Sequence, residues 1–361
     1  MDRGRKLGAA AAVVVAVLAG ATVLGVLLSR EGDSGGDSDV TVPDEPAATV
    51  PTSAAPSPEE LRAPLTGLVT EADLSYPAVA IKVSDVEQAH PQLGVDRADI
   101  VFVEPIGVSY TRLLAVFHSD LPESVGPVRS GRPMDAPLLS PLAPVFGNTM
   151  GAEWVMDYLD SVATVDNLGT LRVPGSDAYV IDSARPRPDH VFAKPAVLLE
   201  LSDFTAAPAP YFDYAPDDEP SSAELAGDRG AAVEIPYGPG WSVTWTYDDA
   251  SGRYLREQPW GAHTTADEVQ VSAVNVLVLD VASERGKIGG GRGAPVPILQ
   301  LVDGSGDFVA LAGGQSITGT WSKAGVDEPF VFHSEGDREL LLSPGNTWVE
   351  LAAPSADVTL R

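Results

Sequence analysis

The sequence predicts an α+β protein: an N-terminal α/β domain, then a mostly antiparallel β-rich domain, both behind one apolar N-terminal helix. Three observations carry that prediction. An uncharged run of 22 residues, 7–28, opens the chain. Between residues 64 and 203, short β-branched runs alternate with segments of helical spacing, the pattern of a layered α/β unit. After residue 231 the apolar period becomes two, the period of a half-buried strand.

Taken in order, Arg3, Arg5 and Lys6 precede the apolar run. About 20 apolar residues cross a bilayer as a helix, and flanking positive charge stays in the cytoplasm. Residues 1–28 therefore read as a signal anchor of a single-pass cell-membrane protein whose bulk is extracytoplasmic. Ala19-Gly20-Ala21 also fits a small-x-small cleavage site, and a cleaved signal would secrete the chain instead. Residues 29–63 are Ser, Gly, Asp, Pro, Thr and Ala with few large apolar side chains, the composition of a disordered acidic linker.

In the predicted α/β domain, 64–203, strands are expected at 78–83, 100–103, 113–117, 144–146 and 179–181. Helices are expected after Pro133, where Leu138, Leu139 and Leu142 recur, then over 153–160 and over 195–201. Residues 204–230 carry Pro208, Pro210, Pro216 and Pro220 and read as an interdomain connection. In the β-rich domain, 231–361, Trp241, Val243, Trp245 and Tyr247 alternate with polar residues. The stretch 248–252 is turn chemistry, and 253–257 returns as the partner strand. Further strands are expected at 274–281, 330–332, 340–342 and 348–351, forming a barrel or sandwich.

The chain has 361 residues, with 23 Lys and Arg against 51 Asp and Glu, a formal charge of −28. A nucleic-acid partner is excluded, because displacing counterions from phosphates takes a basic face. An anionic bilayer surface repels such a chain too, so contact with the membrane is expected through the N-terminal helix alone. There is no cysteine, which rules out disulfides, thiolate chemistry, Cys-ligated metals and a lipid anchor on cysteine. The histidines, at 90, 118, 190, 263 and 333, show no His-x-His or His-Glu-x-x-His spacing. No metal and no cofactor are expected. Residues 289–294 formally fit a dinucleotide fingerprint, but Pro295 and Pro297 follow where a helix would have to start, so they read as a loop.

The most informative segment is Val125-Gly126-Pro127-Val128-Arg129-Ser130-Gly131-Arg132-Pro133, which has two arginines and no acid in a strongly acidic chain. It runs from a strand towards a helix start, where free N–H groups favour an anion. Its glycines allow close backbone approach, and a guanidinium fork grips carboxylate or phosphate with two bonds. Arg112, near the start of another strand, adds a third cation. One reading is an anion-binding site built from Arg112, Arg129, Ser130 and Arg132. The other is that Arg129 and Arg132 pair internally with Glu104 or Asp135 and stiffen the loop. His190 follows Asp189 and is either an acid or base oriented by that carboxylate, or a loop histidine with a structural hydrogen bond.

With these residues in view, the chain resembles the YerB-like lipoprotein family, domain of unknown function 3048, from about residue 64 to 354. The Gly-Pro-Val-Arg-Ser-x-Arg stretch at 126–132 is its strongest motif. Similar too are Pro64-Leu65-Thr66-Gly67, Ala98-Asp99-Ile100-Val101 with Glu104, Thr111-Arg112, His190, Tyr254-x-Arg256 and Pro344-Gly345-Asn346-Thr347-Trp348. It departs from the family at Ser84-Asp85, His90 and Gly107, and in having no cysteine to acylate. The resemblance implies an envelope location and a two-part layout but no established activity. The function expected is binding or scaffolding in the bacterial cell envelope. Its partner would be a cell-envelope component or exported protein that presents an anionic group. The alternative is an envelope hydrolase or transferase using His190 as acid or base, so whether it is an enzyme stays open.

Overall fold

In the N-terminal half, β1 (Val79–Ser84), β2 (Ile100–Pro105) and β3 (Thr111–Phe117) form where the β-branched runs predict them. The short strands β4 (Val145–Gly147) and β5 (Asp166–Asn167) follow. The three expected helices appear as α1 (Asp135–Leu139), α2 (Glu153–Ser161) and α3 (Pro195–Leu201). The connection after residue 203 also holds α4 (Ser222–Ala226), started by a capping box in which Ser221 and Glu224 satisfy each other's backbone N–H groups. This computed structural model describes residues 60–107, 110–288 and 295–361. The predicted anchor, almost all of the linker and the loop at 289–294 lie outside the described residues. Among the described residues, no helix is long and apolar enough to cross a membrane.

The C-terminal half contributes β6 (Ala232–Gly238), β7 (Trp241–Asp248), β8 (Arg253–Gln258) and β9 (Asn275–Asp280). After them come β10 (Gly304–Ala312), β11 (Gln315–Lys323), β12 (Val331–Ser334), β13 (Arg338–Glu339) and β14 (Thr347–Ala352). The β10–β11 hairpin is absent from the sequence expectations. Its strands are rich in Gly, Ser and Thr, and the clearest local signal is the pair Gly313-Gly314, both at positive φ, which closes the two-residue turn. Residues 340–342, expected as a strand, make only a bridge between Leu342 and Tyr214.

No barrel closes in the second half. Most of its strands divide between two sheets packed face to face, with Val233, Val243 and Trp245 of one against Val276, Val278 and Trp348 of the other. A 12-stranded mixed sheet runs β13-β12-β11-β10-β9-β14-β2-β3-β1-β4-β5, with Asp228–Arg229 added on β11. Strands from residues 64–203 and from 231–361 thus share one sheet. They meet where β2 pairs in parallel with β14, Ile100 opposite Thr347 and Val103 opposite Glu350. The described residues belong to one compact unit, residues 58–361. Helices are few and short, so the N-terminal half is less helical than a full α/β layer.

Alternation along the strands separates two cores. Ala80, Ile100, Phe102, Leu114 and Val116 face α1 and α2, whose Leu138, Leu139, Val155, Met156 and Leu159 cover them. Val79, Ile81, Val83, Val101, Leu113 and Phe117 point the other way. There they meet Leu198 of α3 and a six-stranded antiparallel sheet built on β6, β7 and β8, which packs with Val233, Val243, Trp245 and Tyr254. Strands β1, β2, β4, β9 and β14 run parallel to one another, and the candidate site lies at the carboxyl ends of β1 and β2. Ligands of open α/β sheets generally bind at such ends.

Candidate functional site

On the helix-facing side, the apolar alternation ends in charge. Ser84 and Glu104 both lie opposite Arg112 in register, and Lys82 precedes Ser84 by one pleat, so all four occupy one face. Lys82 is fully buried between two carboxylates, Glu104 and Asp135, with its Nζ donating to Asp135 Oδ1 at 2.6 Å. The other oxygen of Asp135 accepts the Arg132 backbone N–H at 2.6 Å. Burial, and then repulsion from Asp135, holds the Glu104 carboxyl well above its ordinary range against the pull of Lys82. Of the two carboxyl groups that share the Lys82 ammonium, Glu104 is the one held towards its protonated form. Glu104→Gln should therefore change the unfolding free energy by no more than about 1 kcal/mol at pH 7. Lys82→Met should cost about 3–5 kcal/mol, because it strands a buried carboxylate. Urea unfolding of both variants checks this, and equal losses would contradict it.

The trio also bears on the reading in which Arg129 and Arg132 pair internally. Glu104 and the side chain of Lys82 engage each other, and Asp135 binds the backbone of Arg132 rather than its guanidinium. The loop is held by main-chain bonds on three sides. Ser84 N–H donates to Pro127 O at 2.9 Å, and Arg129 N–H to Lys82 O at 2.8 Å. Val128 N–H donates to Val191 O at 2.7 Å, and Gly131 N–H to Met150 O at 2.8 Å. The guanidinium groups are left largely to themselves. Arg132 Nη1 donates to the carbonyls of Gly131 and Ser130 at 2.9 and 3.3 Å, while its Nε has no partner. Arg129 Nε lies 3.7 Å from Asp189, too far for a hydrogen bond.

Arg112 completes the cluster. It is buried, only 3% exposed, and its Nε and Nη1 find no acceptor among the described residues. Burial, then the charges of Arg129 and Arg132, pull its pKa down to about 9. Burial and Arg132 likewise lower that of Arg129, opposed by Asp189. An unpaired buried cation is costly, and an anion beside Arg112 would relieve the repulsion it feels from Arg129 and Arg132. Arg129, Ser130 and Arg132 are partly exposed at the rim, with Arg112 behind them.

Two parts of the expected site are corrected. The glycines serve packing: a Cβ at Gly126 would sit 2.7 Å from the Phe192 ring, and one at Gly131 would sit 3.1 Å from Leu159 and Met156 of α2. The helix start offers no open anion site, because α1 has five residues and its own Asp135 occupies that end. As for His190, its Nδ1 is buried without a partner, and Asp189 points to Arg129 instead of orienting the imidazole.

Across the sheet lies a second polar cluster that sequence reasoning missed. Arg256 is fully buried, donating to Asp85 at 3.3 and 3.5 Å, and its Nε lies 3.6 Å from Glu350. Glu350 in turn accepts from Tyr237 at 2.6 Å and Trp245 at 2.8 Å, and Asp85 from Thr111 at 2.6 Å and Gln258 at 2.7 Å. Asp85, His90 and His263 come within 4.8 Å of one another, a spacing a metal ion could use. The donor set argues against one. His263 spends Nδ1 on Arg256 at 2.9 Å and Nε2 on Gln92, and a cation would sit against the Arg256 guanidinium. This cluster joins β1 to β8 and β14 as a buried polar staple, with one guanidinium serving two acids. Its one sequence signal is charge at the buried phase of a strand, as in Tyr254-x-Arg256-x-Gln258.

Fold and site together define a three-layered, β-rich α+β protein with a triple-arginine cluster at the carboxyl ends of its parallel strands. The chain belongs to the family described as "Protein of unknown function (DUF3048)": residues 65–207 match its N-terminal domain and residues 233–349 its C-terminal domain. The Bacillus subtilis (strain 168) protein named "Putative lipoprotein YerB" is 36% identical over 129 residues. That stretch is 36% of this chain and 39% of the relative, so the match spans about two fifths of that protein's length. The crystal structure of YerB protein from Bacillus subtilis matches over 83% of this chain and all of that one, with a TM-score of 0.71 and 23% identity, which shows a shared fold.

Proposed function

We propose that this protein is an extracytoplasmic, membrane-associated component of the bacterial envelope that binds an anionic group through Arg112, Arg129 and Arg132, assisted by Ser130. The observation that carries the reading is Arg112, buried with unpartnered guanidinium nitrogens against two further arginines. The apolar run at 7–28 and a relative named as a lipoprotein support the location. A cell-wall polymer or another exported protein would present the anion.

Millimolar inorganic phosphate or sulfate should stabilise the full chain in thermal unfolding, by about 2.7 kcal/mol at a hundredfold excess over Kd. The gain should vanish in Arg129→Ala/Arg132→Ala. An equal gain in that variant would remove the cluster from the account. For location, a tag on Arg361 should be digested by protease added to intact cells, and protection there would overturn an extracytoplasmic assignment.

A further inference from the structure

The cluster's charge count and shape narrow what it can hold. Lys82 does not contribute, since its ammonium is engaged by Glu104 and Asp135. Three guanidinium groups remain, and the one acid facing them within ion-pair reach among the described residues is Asp189, at 3.7 Å. Among the three guanidinium groups and the one carboxylate within their reach, the excess is about two positive charges. A monoanion would match Arg112 and leave a second positive charge at the rim unmatched, whereas a dianion would meet both.

Geometry points the same way. The donors come from different elements: Arg112 from β3 at the buried floor, and Arg129, Ser130 and Arg132 from the loop between residues 125 and 133 at the rim. The Ser130 hydroxyl has no protein partner among the described residues. A planar carboxylate offers oxygens in one plane and suits a single fork. Donors set at two depths, one buried and three partly exposed, suit an anion whose oxygens spread in three dimensions. Because the innermost donor is buried, the anion must enter as a terminal group with its substituent trailing outward.

Building on the anion-binding reading, we infer that the site takes the terminal, doubly charged phosphoryl group of a phosphomonoester. A phosphodiester has one charge and two free oxygens, and its second substituent would have to occupy the floor beside Arg112. The binding is non-covalent and no bond is made or broken.

Titration calorimetry of the full chain in detergent at pH 8 distinguishes the outcomes, with glycerol 3-phosphate, sulfate, dimethyl phosphate and acetate as probes. Short-chain phosphatidic acid, added in the same detergent, separates a lipid-borne monoester from a soluble one. Glycerol 3-phosphate and sulfate should bind at least tenfold tighter than dimethyl phosphate and acetate. Binding should weaken at least tenfold in Arg112→Met and in Arg129→Gln, the second being a rim position whose loss leaves the buried packing in place. Equal affinity for all the anions, still lost in both variants, would overturn the phosphomonoester inference and leave anion binding standing. No binding of any anion, or binding that survives both substitutions, would overturn both.

Discussion

Arg256→Ala is expected to lower the unfolding free energy by about 3–5 kcal/mol, because it strands two carboxylates in a dry interior. The side chain has no exposed surface, and it lies between Asp85 and Glu350 with the Trp348 and Trp245 rings 5.1 and 5.9 Å from its guanidinium carbon. Removing it deletes two ion pairs and this aromatic packing while the acids stay buried. Urea denaturation at pH 7 measures the loss, and a cost below about 1 kcal/mol would mean that water reaches the cluster. Acid gives a second test with a defined sign. Burial would raise the Asp85 carboxyl, but Arg256, then His90 and His263, outweigh it and hold the group far below the carboxylate range. Its stabilisation is thus complete above about pH 4, the unfolded value, and is withdrawn as the pH falls below that. Wild type should lose more stability between pH 5 and 3 than Asp85→Asn does, and parallel profiles would contradict the assignment.

Arg112→Met should act in the opposite direction and raise the stability of the anion-free protein by about 1–3 kcal/mol. The wild-type guanidinium carries its charge below about pH 9, in a buried place beside two like charges. A pKa lowered in the folded state means that the charged form opposes folding over that range, and that the penalty relaxes above it. Methionine keeps much of the volume and removes the charge. The same substitution should abolish the stabilisation by phosphate. Gain of stability with loss of ligand response is a signature that a structural arginine would not produce. A fall in melting temperature without anion would show that Arg112 holds the fold together and would dismiss its role in recognition.

The site loop was legible because its message is local: two arginines and no acid in a strongly acidic chain, between a strand and a helix start. The same holds for β1, β2, β3, β7, β8 and the three helices, whose apolar periods lie within a few residues. What could not be read depends on pairing across the chain. Asp85 meets Arg256 and Gln258, Arg256 also meets Glu350, and no short motif relates residues that far apart. Lys82 sits inside an apolar run that marks a buried strand, yet nothing near it in sequence shows that Glu104 and Asp135 engage it. The β10–β11 hairpin escaped because its strands alternate glycine and hydroxyl groups more than apolar bulk. A single sheet across both halves was hidden for the same reason, since the β2–β14 pairing joins segments more than two hundred residues apart.

The position of β14 bears on how the protein is made. Residues Thr347–Ala352 form one of the last strands in the sequence, yet they sit mid-sheet between β2 and β9. Until residues 347–352 have been made, β2 therefore presents a bare, apolar hydrogen-bonding edge, a template for misassembly. Long-range strand closure of this kind is slow. The sheet therefore locks only once residues 347–352 arrive. Shortening it before residue 347 should give aggregates rather than a smaller stable protein.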